Sequence, residues 1–479
     1  MTLTARGRWL ALYVLCLGDL MIVLDGTIVN VALPTIRDDL GFSQTSLAWI
    51  VNAYLLTFGG FLLLGGRLGD LFGQRRMFLI GIGLFTAASL ACGLSTSQGQ
   101  LVAARAVQGL GGALVAAVAL SLVMTLFTEQ ADRAKAMGIF GFVLSGGGVA
   151  GVLLGGVLTD ILSWHWIFFI NLPVGALVFA LSLRLLPEAP GLAGGKRLDL
   201  AGALTITGAL MLAVYAIVNG NETGWLTAQT LGLLAGAVLL LLAFLVVESR
   251  VASPLVPLGI FRNRDVSSAN SVGILMAAGM FAYFFFSALY MQQVLDYTPL
   301  EVGLAYLPSM VIWGTCSLYS DRLVMRFGIK PPLLAGLSLM ALSLLLFARA
   351  PVDGSFALDV LPATVAIGLG AGIAFNPILL AAMSGVAPQE AGLASGVVNT
   401  SFMMGGALGL AVLASLAAVR TDRLEGAGET VVAATNGGYH LAFLVGALFL
   451  VGAATLAGVL LKAKAPSPHG EGEPAPEAA

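Results

Sequence analysis

The sequence predicts an all-α integral membrane protein of 14 transmembrane helices, with two six-helix pseudo-symmetric bundles and a helix pair inserted between them. Three observations predict this fold: a composition suited to lipid, a series of apolar spans, and an internal repeat. Of 479 residues, 58% are hydrophobic and 10% are charged. A soluble domain carries about 25% charged residues, so the chain is expected in a bilayer.

The apolar spans predict the helices one by one. A hydrocarbon core of roughly 30 Å takes about 20 apolar residues. Spans of this kind occupy residues 9–32, 47–66, 77–95, 99–125, 136–161, 166–186, 199–219, 229–248, 266–292, 300–319, 332–349, 360–384, 393–418 and 439–461. The first span is too long for a cleaved signal peptide. It is therefore interpreted as the first transmembrane helix.

An internal repeat predicts the domain organisation. Residues 66–76 have a degraded copy at 320–330, and residues 129–151 correspond to 389–409. Repeated halves are typical of secondary transporters, whose substrate site lies where the halves meet. The predicted domains are an N-terminal six-helix bundle (1–187), an inserted helix pair (188–250), a C-terminal six-helix bundle (251–464) and a disordered cytoplasmic tail (465–479).

The basic residues predict the orientation. Cytoplasmic connections of membrane proteins are enriched in Lys and Arg. With the N-terminus inside, the cytoplasmic side carries Arg6, Arg8, Arg67, Arg75, Arg76, Arg133, Lys135, Arg184, Lys196, Arg197, Arg250, Arg262, Arg264, Arg322, Arg326, Lys330, Lys462 and Lys464. Only Arg37, Arg349, Arg420 and Arg423 lie outside, and Arg105 is buried. We therefore expect a multi-pass protein of a bacterial-type cell membrane with both termini in the cytoplasm.

An acidic residue lies near the end of the first span. Asp25 lies in the segment 24–34, and a carboxylate in hydrocarbon indicates function because it is costly unless it is paired, hydrated or protonated. Asp25 and Arg105 each lie about seven residues inside the outer end of their helix, roughly 10 Å deep at 1.5 Å per residue, so they are expected to meet. Two interpretations stay open: a proton-coupling pair and a static buried ion pair.

Asp19 is a second acid in the same helix. Six residues before Asp25, it lies about 9 Å deeper and about 240° around the helix, so the two acids cannot share a face. Asp19 is a candidate to attract a cationic substrate, to serve as a second proton site, or to face a watery vestibule. Other polar residues of the spans are candidates to line a substrate cavity or to join helices: Asn30, Asn52, Tyr54, Gln108, Asn270, Gln292, Gln293, Asn376 and Asn399.

The repeated segment 66–76 is expected to form a conformational latch at a turn between helices. Glycines permit a tight turn and close helix approach, and the cations suit anionic lipid or helix C-termini. A positive-inside anchor is the alternative. The latch residues are Gly66, Asp70, Gly73, Arg75 and Arg76, with Asp321 and Arg322 in the copy.

Four segments together resemble one family. They are 24–34 (LDGTIVNVALP), 66–76 (GRLGDLFGQRR), 105–113 (RAVQGLGGA) and 164–175 (WHWIFFINLPVG). The first and last resemble motifs of the fourteen-helix drug:proton antiporters of the EmrB/QacA type, and the other two resemble signatures of the major facilitator superfamily. The resemblance implies drug export and ties Arg105 to proton coupling.

A glycine pattern on the fifth helix is similar to the antiporter motif of that family. Gly138, Gly147, Gly151, Gly155 and Gly156 have the spacing of the motif, but Val152 stands where the family has a proline. A missing proline removes a kink. The same glycines would also serve a plain close-packed helix interface.

These observations predict a proton-coupled exporter of amphipathic drugs or antibiotics that works by alternating access as a monomer. The net charge of −2 and the absence of a basic run give no support for a nucleic-acid partner. The chain has no phosphate-binding loop for ATP, and its three histidines and three cysteines are scattered. We therefore expect no enzyme and no metal or other cofactor, with protons as the coupling ion. An exporter of one endogenous metabolite, an importer, and a membrane-embedded sensor or enzyme are the alternatives.

The predicted topology can be tested with reporter fusions. Alkaline phosphatase fused after Lys464 should be inactive, and the same enzyme inserted after Gly428 should be active, because phosphatase folds only outside the cytoplasm. Green fluorescent protein at Lys464 should fluoresce and serves as the expression control. The reverse pattern would overturn the orientation.

Overall fold

The structure, a computed structural model, describes residues 4–43, 45–127, 129–187, 199–251, 254–383 and 391–461. The long helices are α1 Ala5–Leu40, α2 Trp49–Phe72, α3 Gln74–Gly93, α4 Gln98–Leu126, α5 Gln130–Ile161, α6 Trp166–Leu185, α7 Leu200–Thr223, α8 Ala228–Arg250, α9 Arg264–Gln293, α10 Pro299–Phe327, α11 Lys330–Phe347, α12 Leu361–Met383, α13 Ala391–Gly426 and α14 Val431–Leu460. Short helical turns lie at Ser46–Ala48, Leu258–Arg262 and Phe356–Val360.

The predicted all-helical membrane fold is confirmed. Of the described helices, 13 are long and apolar enough to cross a membrane, and α5 contains the shorter apolar stretch Ala150–Ile161. α6 has a single interruption at Ile170, between Trp166–Phe169 and Asn171–Leu185. The predicted tail over 465–479 lies outside the described residues.

α1 is longer than the predicted span of 9–32. It begins after Thr4, whose hydroxyl accepts a hydrogen bond from the Gly7 amide at 3.2 Å, and it ends at Gly41, whose φ of 69° is a left-handed conformation. Pro34 lies inside this helix, although proline lacks an amide hydrogen for the helical ladder. The apolar span therefore underestimates the helix, which continues beyond the hydrocarbon-length segment.

The repeated segment is mostly helical, which corrects the predicted spans 47–66 and 77–95, because these left residues 67–76 between helices. α2 continues to Phe72, and only Gly73, which has a φ of 94°, separates it from α3. In the copy, α10 continues to Phe327, and Gly328 with a φ of 83° begins the connection to α11. Glycine adopts such φ values without a steric penalty, so both connections turn sharply at a glycine.

The helices pack as two groups joined by a few pairs. The first group comprises α1 to α6, with contacts between α1 and α5, α2 and α4, and α3 and α4. The second group comprises α9 to α14, with contacts between α9 and α13, α10 and α12, and α11 and α12. α5 packs on α10, and α2 packs on α13, which connects the groups. α7 pairs with α8 and also contacts α2 and α13. The exact domain boundaries stay a prediction.

Small residues set the spacing of α3 and α4. A Cβ added at Gly111 would lie 2.6 Å from the Phe85 amide nitrogen and 2.9 Å from its Cα. Backbone atoms cannot move aside as a flexible side chain does, so α4 approaches α3 this closely only because position 111 has no side chain.

Gly111→Ala should therefore destabilise the protein. Overpacking at a tight contact lowers the free energy of unfolding by about 1–3 kcal/mol, and the midpoint of thermal unfolding in detergent should fall. Gly99→Ala on the same helix is the matched control, because no atom lies within 4 Å of a Cβ added there. Equal melting of both variants would contradict the packing role of Gly111.

Candidate functional site

Asp25 and Arg105 form a buried ion pair between α1 and α4. Arg105 Nη1 donates to Asp25 Oδ2 at 2.5 Å, and the two side chains are 1% and 0% exposed. In the part of the chain that the structure describes, the other ion pair joins Arg37 to Asp38, whose side chains are 30% and 69% exposed. Within these limits, Asp25–Arg105 is the one pair withdrawn from the surface.

Neutral donors complete the surroundings of Asp25. Asp25 Oδ1 accepts from Gln108 Nε2 at 2.7 Å and from Asn171 Nδ2 at 3.0 Å. Both amides also donate to Ser89 Oγ, at 2.8 and 3.3 Å, and the Ser89 hydroxyl donates to the Phe85 carbonyl. Each oxygen of Asp25 therefore has a donor, as an ionised carboxylate requires.

Arg105 is held from three sides. Its Nε donates to the Ile50 carbonyl of α2 at 3.0 Å, and its Nη1 also donates to Gln108 Oε1 at 2.7 Å. The guanidinium carbon lies 4.4 Å from the centroid of the Tyr54 ring, within range of a cation–π interaction. Because α1, α2, α3, α4 and α6 all contribute to this network, a shift of α1 against α4 would disturb all of it.

The glycine pattern of α5 lies against α1. A Cβ added at Gly151 would be 2.8 Å from the Leu24 carbonyl oxygen, and one at Gly155 would be 2.8 Å from the Ile28 carbonyl oxygen. Gly147 faces Leu20 in the same row. Gly156 instead faces Pro299 at the start of α10, so these glycines bring α5 against both halves.

The departure from the family pattern has a visible consequence. With Val152 in place of proline, α5 is one continuous helix over Gln130–Ile161. The surroundings of Gly138 lie outside the described part of the chain. Whether the glycines serve antiport stays a prediction.

Most of the other candidate polar residues join helices. Asn270 accepts from the Ser401 hydroxyl, Gln292 donates to the Val31 carbonyl, Gln293 accepts from the Tyr439 hydroxyl, and Asn376 donates to the Ser317 carbonyl. Asn30 donates within its own helix to the carbonyls of Gly26 and Thr27. Asn399 is half-buried. The joining role, which the sequence left open, is thus the observed one for four of these residues.

Among the described residues, Gln293 has one unpaired donor, its Nε2, and two further neutral candidates have no side-chain hydrogen bond at all. Asn52 is fully buried, and neither its Oδ1 nor its Nδ2 has a hydrogen-bond partner. The Tyr54 hydroxyl is also buried without a partner. Buried polar groups are normally paired, so these two residues are available to a ligand or to water.

The latch residues lie at the turn between α2 and α3. Arg75 donates to the Leu183 carbonyl of α6 at 2.5 Å. A Cβ added at Gly69 would lie 2.5 Å from Val118 of α4. Gly66 is half-buried, whereas Asp70 and Arg76 are exposed, and within the described residues Asp70 forms no ion pair. In the copy, Arg322 is exposed and its guanidinium lies 5.2 Å from the Tyr319 ring, and the side chain of Asp321 lies outside the description.

Sequence reasoning missed two kinds of residue. Asn171 lies in a quoted motif but received no role, and Ser89 carries no signal in the sequence, yet both complete the Asp25 network. The structure also brings together Asp199 at the start of α7 and Glu248 near the end of α8. Each is 4% exposed, and each has one carboxylate oxygen without a partner.

The Asp25–Arg105 pair should be stabilising only as long as both partners remain. Asp25→Asn would leave a buried guanidinium without a counter-charge, which costs about 3–5 kcal/mol of unfolding free energy. Adding Arg105→Gln to Asp25→Asn should recover part of that loss. Thermal melting of the single and double variants in detergent measures both effects. An Asp25→Asn variant that melts like the wild type would contradict the buried pair.

Comparison with known proteins places the chain in a family. The model of the Major Facilitator Superfamily matches residues 15–410. Relatives include the puromycin resistance protein of Streptomyces alboniger (41% identical, covering 95% of this chain and 92% of the relative). The cephamycin export protein CmcT of Amycolatopsis lactamdurans is 38% identical over 94% of this chain and 92% of the relative. The multidrug resistance protein Stp of Mycobacterium tuberculosis is 36% identical over 86% of this chain and 76% of the relative.

Solved structures agree on the fold. The nucleoside transporter NupG superposes with a TM-score of 0.69 at 12% identity, covering 95% of this chain and all of that one (100%). A bacterial homologue of the lysosomal transporter Spinster, in an inward-facing and unoccupied conformation, gives 0.67 at 17% identity, covering 95% and 97%. The family model and the relatives show that the chain is a transporter rather than an enzyme, and that it belongs to the Major Facilitator Superfamily.

Proposed function

We propose that the protein is a proton-coupled exporter of amphipathic drugs or antibiotics that works by alternating access, with Asp25 as the proton site and Arg105 as its partner. The observation that carries the proposal is the ion pair of these two residues in the membrane-spanning region, at 0% and 1% exposure. A buried ion pair is a poor stabiliser compared with apolar packing, so its presence favours a functional reason.

The cargo class is supported by the relatives. The three relatives described above are named for puromycin resistance, cephamycin export and multidrug resistance. The chain covers at least three quarters of each of them. Export of small drug-like molecules is the activity that best accounts for these similarities.

The proton step is supported by the hydrogen bonds of Asp25. In the described arrangement its oxygens accept from Arg105, Gln108 and Asn171, which suits a deprotonated carboxylate. Protonation removes the charge that holds the guanidinium, so Arg105 is free to move. Because Arg105 also bonds to the Ile50 carbonyl of α2, its movement would shift α2 and α4 relative to α1.

Alternating access requires two halves that rock against each other. Small residues line the contacts between halves: Gly59 of α2 faces Met403 of α13, and Gly156 of α5 faces Leu300 of α10. The turn at Gly73 is bound to α6 through Arg75. We infer that this turn, the proposed latch, lies on the cytoplasmic side and moves with the N-terminal half.

A single-compound exporter is the second candidate. The cephamycin export protein and the puromycin resistance protein are each named for one antibiotic, whereas Stp is named for multidrug resistance. A growth-inhibition panel in a host deleted for its own pumps separates the two: protection against several unrelated compounds indicates a broad exporter, and protection against one indicates a dedicated one.

Proton exchange can be tested in everted vesicles with a preformed proton gradient. Adding a substrate from the panel should dissipate the gradient in wild-type vesicles, because each exported molecule is exchanged for protons. Asp25→Asn should abolish this dissipation and uphill transport, but it should keep exchange of labelled for unlabelled substrate, which needs no proton.

The matched control is Asp38→Asn, which neutralises an exposed acid on the same helix and should behave like the wild type. Proton-driven export by Asp25→Asn at the wild-type rate would refute the assignment of the proton site. Substrate transport without any proton movement in the wild type would refute the coupling itself.

A further inference from the structure

Asp19 is a buried carboxylate that the Asp25 network does not use. It is 4% exposed, and its Oδ2 has no hydrogen-bond partner. The ion pairs of the described chain are Arg105–Asp25 and Arg37–Asp38, so within that part no cation neutralises Asp19. Asp25, in contrast, has donors on both oxygens. An unpaired acid at this depth is costly, which points to a partner that comes from outside the chain.

The neighbours of α1 show which way Asp19 points. Gly18 faces Phe78 of α3, and Asp25, seven residues on, faces Arg105 of α4. Leu20 and Leu24 lie on the opposite side, against the glycines of α5. At 100° per residue, Asp19 falls in the sector between these two packed sides.

That sector of α1 is not closely packed along its whole length. Gly26 lies seven residues after Asp19, on the same face, and no atom of a neighbouring helix lies within 4 Å of a Cβ added there. Asn30 follows four residues later on this face. α1 contacts α4, α5 and α6 of its own half and α9 and α10 of the other, so it lies where the two halves meet. The Gln292–Val31 hydrogen bond joins the halves farther along α1, toward Gly41.

We propose that Asp19 binds the positively charged group of the transported substrate, a protonated amine or a quaternary cation. This inference rests on the proposed export function and specifies its substrate class. A carboxylate buried without a counter-ion is satisfied by a ligand that supplies the missing charge. Because Asp19 and Asp25 lie on different faces of α1, the cation of the substrate and the transported proton occupy separate acids.

The Tyr54 hydroxyl and Asn52 provide further polar groups for such a substrate. Both are buried with unsatisfied polar atoms. The Tyr54 ring centroid lies 4.4 Å from the guanidinium carbon of Arg105, so Tyr54 borders the proposed proton site. A few placed polar groups in an otherwise apolar cavity are typical of ligand sites.

The test is equilibrium binding to the purified protein in detergent, which needs no proton gradient. The probes are two permanent cations, ethidium and tetraphenylphosphonium, and the neutral members of the growth panel that bind the wild type. Asp19→Asn should weaken binding of both cations by at least roughly tenfold, since removal of one partner of a buried charge pair has an effect of this order or larger. Binding of the neutral compounds should stay within about twofold.

Three further variants make the result specific. Asp19→Glu keeps the charge and should restore most of the cation affinity, and Asp38→Asn should bind all probes like the wild type. Asp25→Asn should keep the preference for cations while losing proton-driven transport. Asp19→Asn should melt no lower than the wild type, because it removes an unpaired buried charge.

One result would overturn the proposal: cation binding by Asp19→Asn as tight as that of the wild type, which includes a wild type that binds neither cation. If Asp19→Asn then also exchanges fewer protons per substrate, Asp19 is a second proton site instead. The wild type could move no protons in the vesicle experiment and still bind cations through Asp19. That result would refute the proposed antiport but would support the cation site.

Discussion

The buried ion pair between Asp25 and Arg105 is the interaction on which the centre of the N-terminal half depends. Neither group can remain charged in a low-dielectric interior without the other, so α1 and α4 are fixed at the depth where the two side chains meet. Gln108, Asn171 and Ser89 then satisfy the remaining hydrogen-bonding capacity of Asp25. A proton on Asp25 would remove the negative charge that pairs with Arg105 and holds α1 and α4 at this depth. Such a pair therefore suits a transporter that must change shape.

Close packing limits which helices respond to such a change. Gly151 and Gly155 place α5 directly against the backbone of α1, while Gly156 places it against the start of α10 in the other half. A displacement of α1 is therefore passed to α5 and to the contact between the halves. The continuous helix α5, with Val152 in the place of a proline, is stiffer than a kinked one, and stiffness favours rigid-body motion over local bending.

The two acids of α1 have different surroundings, and the two roles proposed for them rest on this difference. Asp25 has donors on both oxygens and is 0% exposed, whereas Asp19 has an oxygen without a partner and lies on a different face of α1. In the proposed mechanism, the separate faces prevent a bound cation from replacing Arg105 at Asp25. Exchange of substrate and proton would then run through the movement of α1 rather than through competition for one carboxylate.

The sequence by itself determined the membrane fold, the number of helices, and the presence of an acid and a base at one depth, because hydropathy, charge and a rise of 1.5 Å per residue are local properties. It misjudged where helices end: α1 extends to Leu40 and α2 to Phe72, since a helix continues beyond the hydrocarbon wherever its backbone remains bonded. Only the tertiary structure decided that Asn171 and Ser89 join Asp25, that Gln292 and Asn376 connect helices, and that Asp19 Oδ2 has no hydrogen-bond partner among the described residues. Those facts depend on which side chains of distant helices meet, and no local pattern in the sequence specifies that.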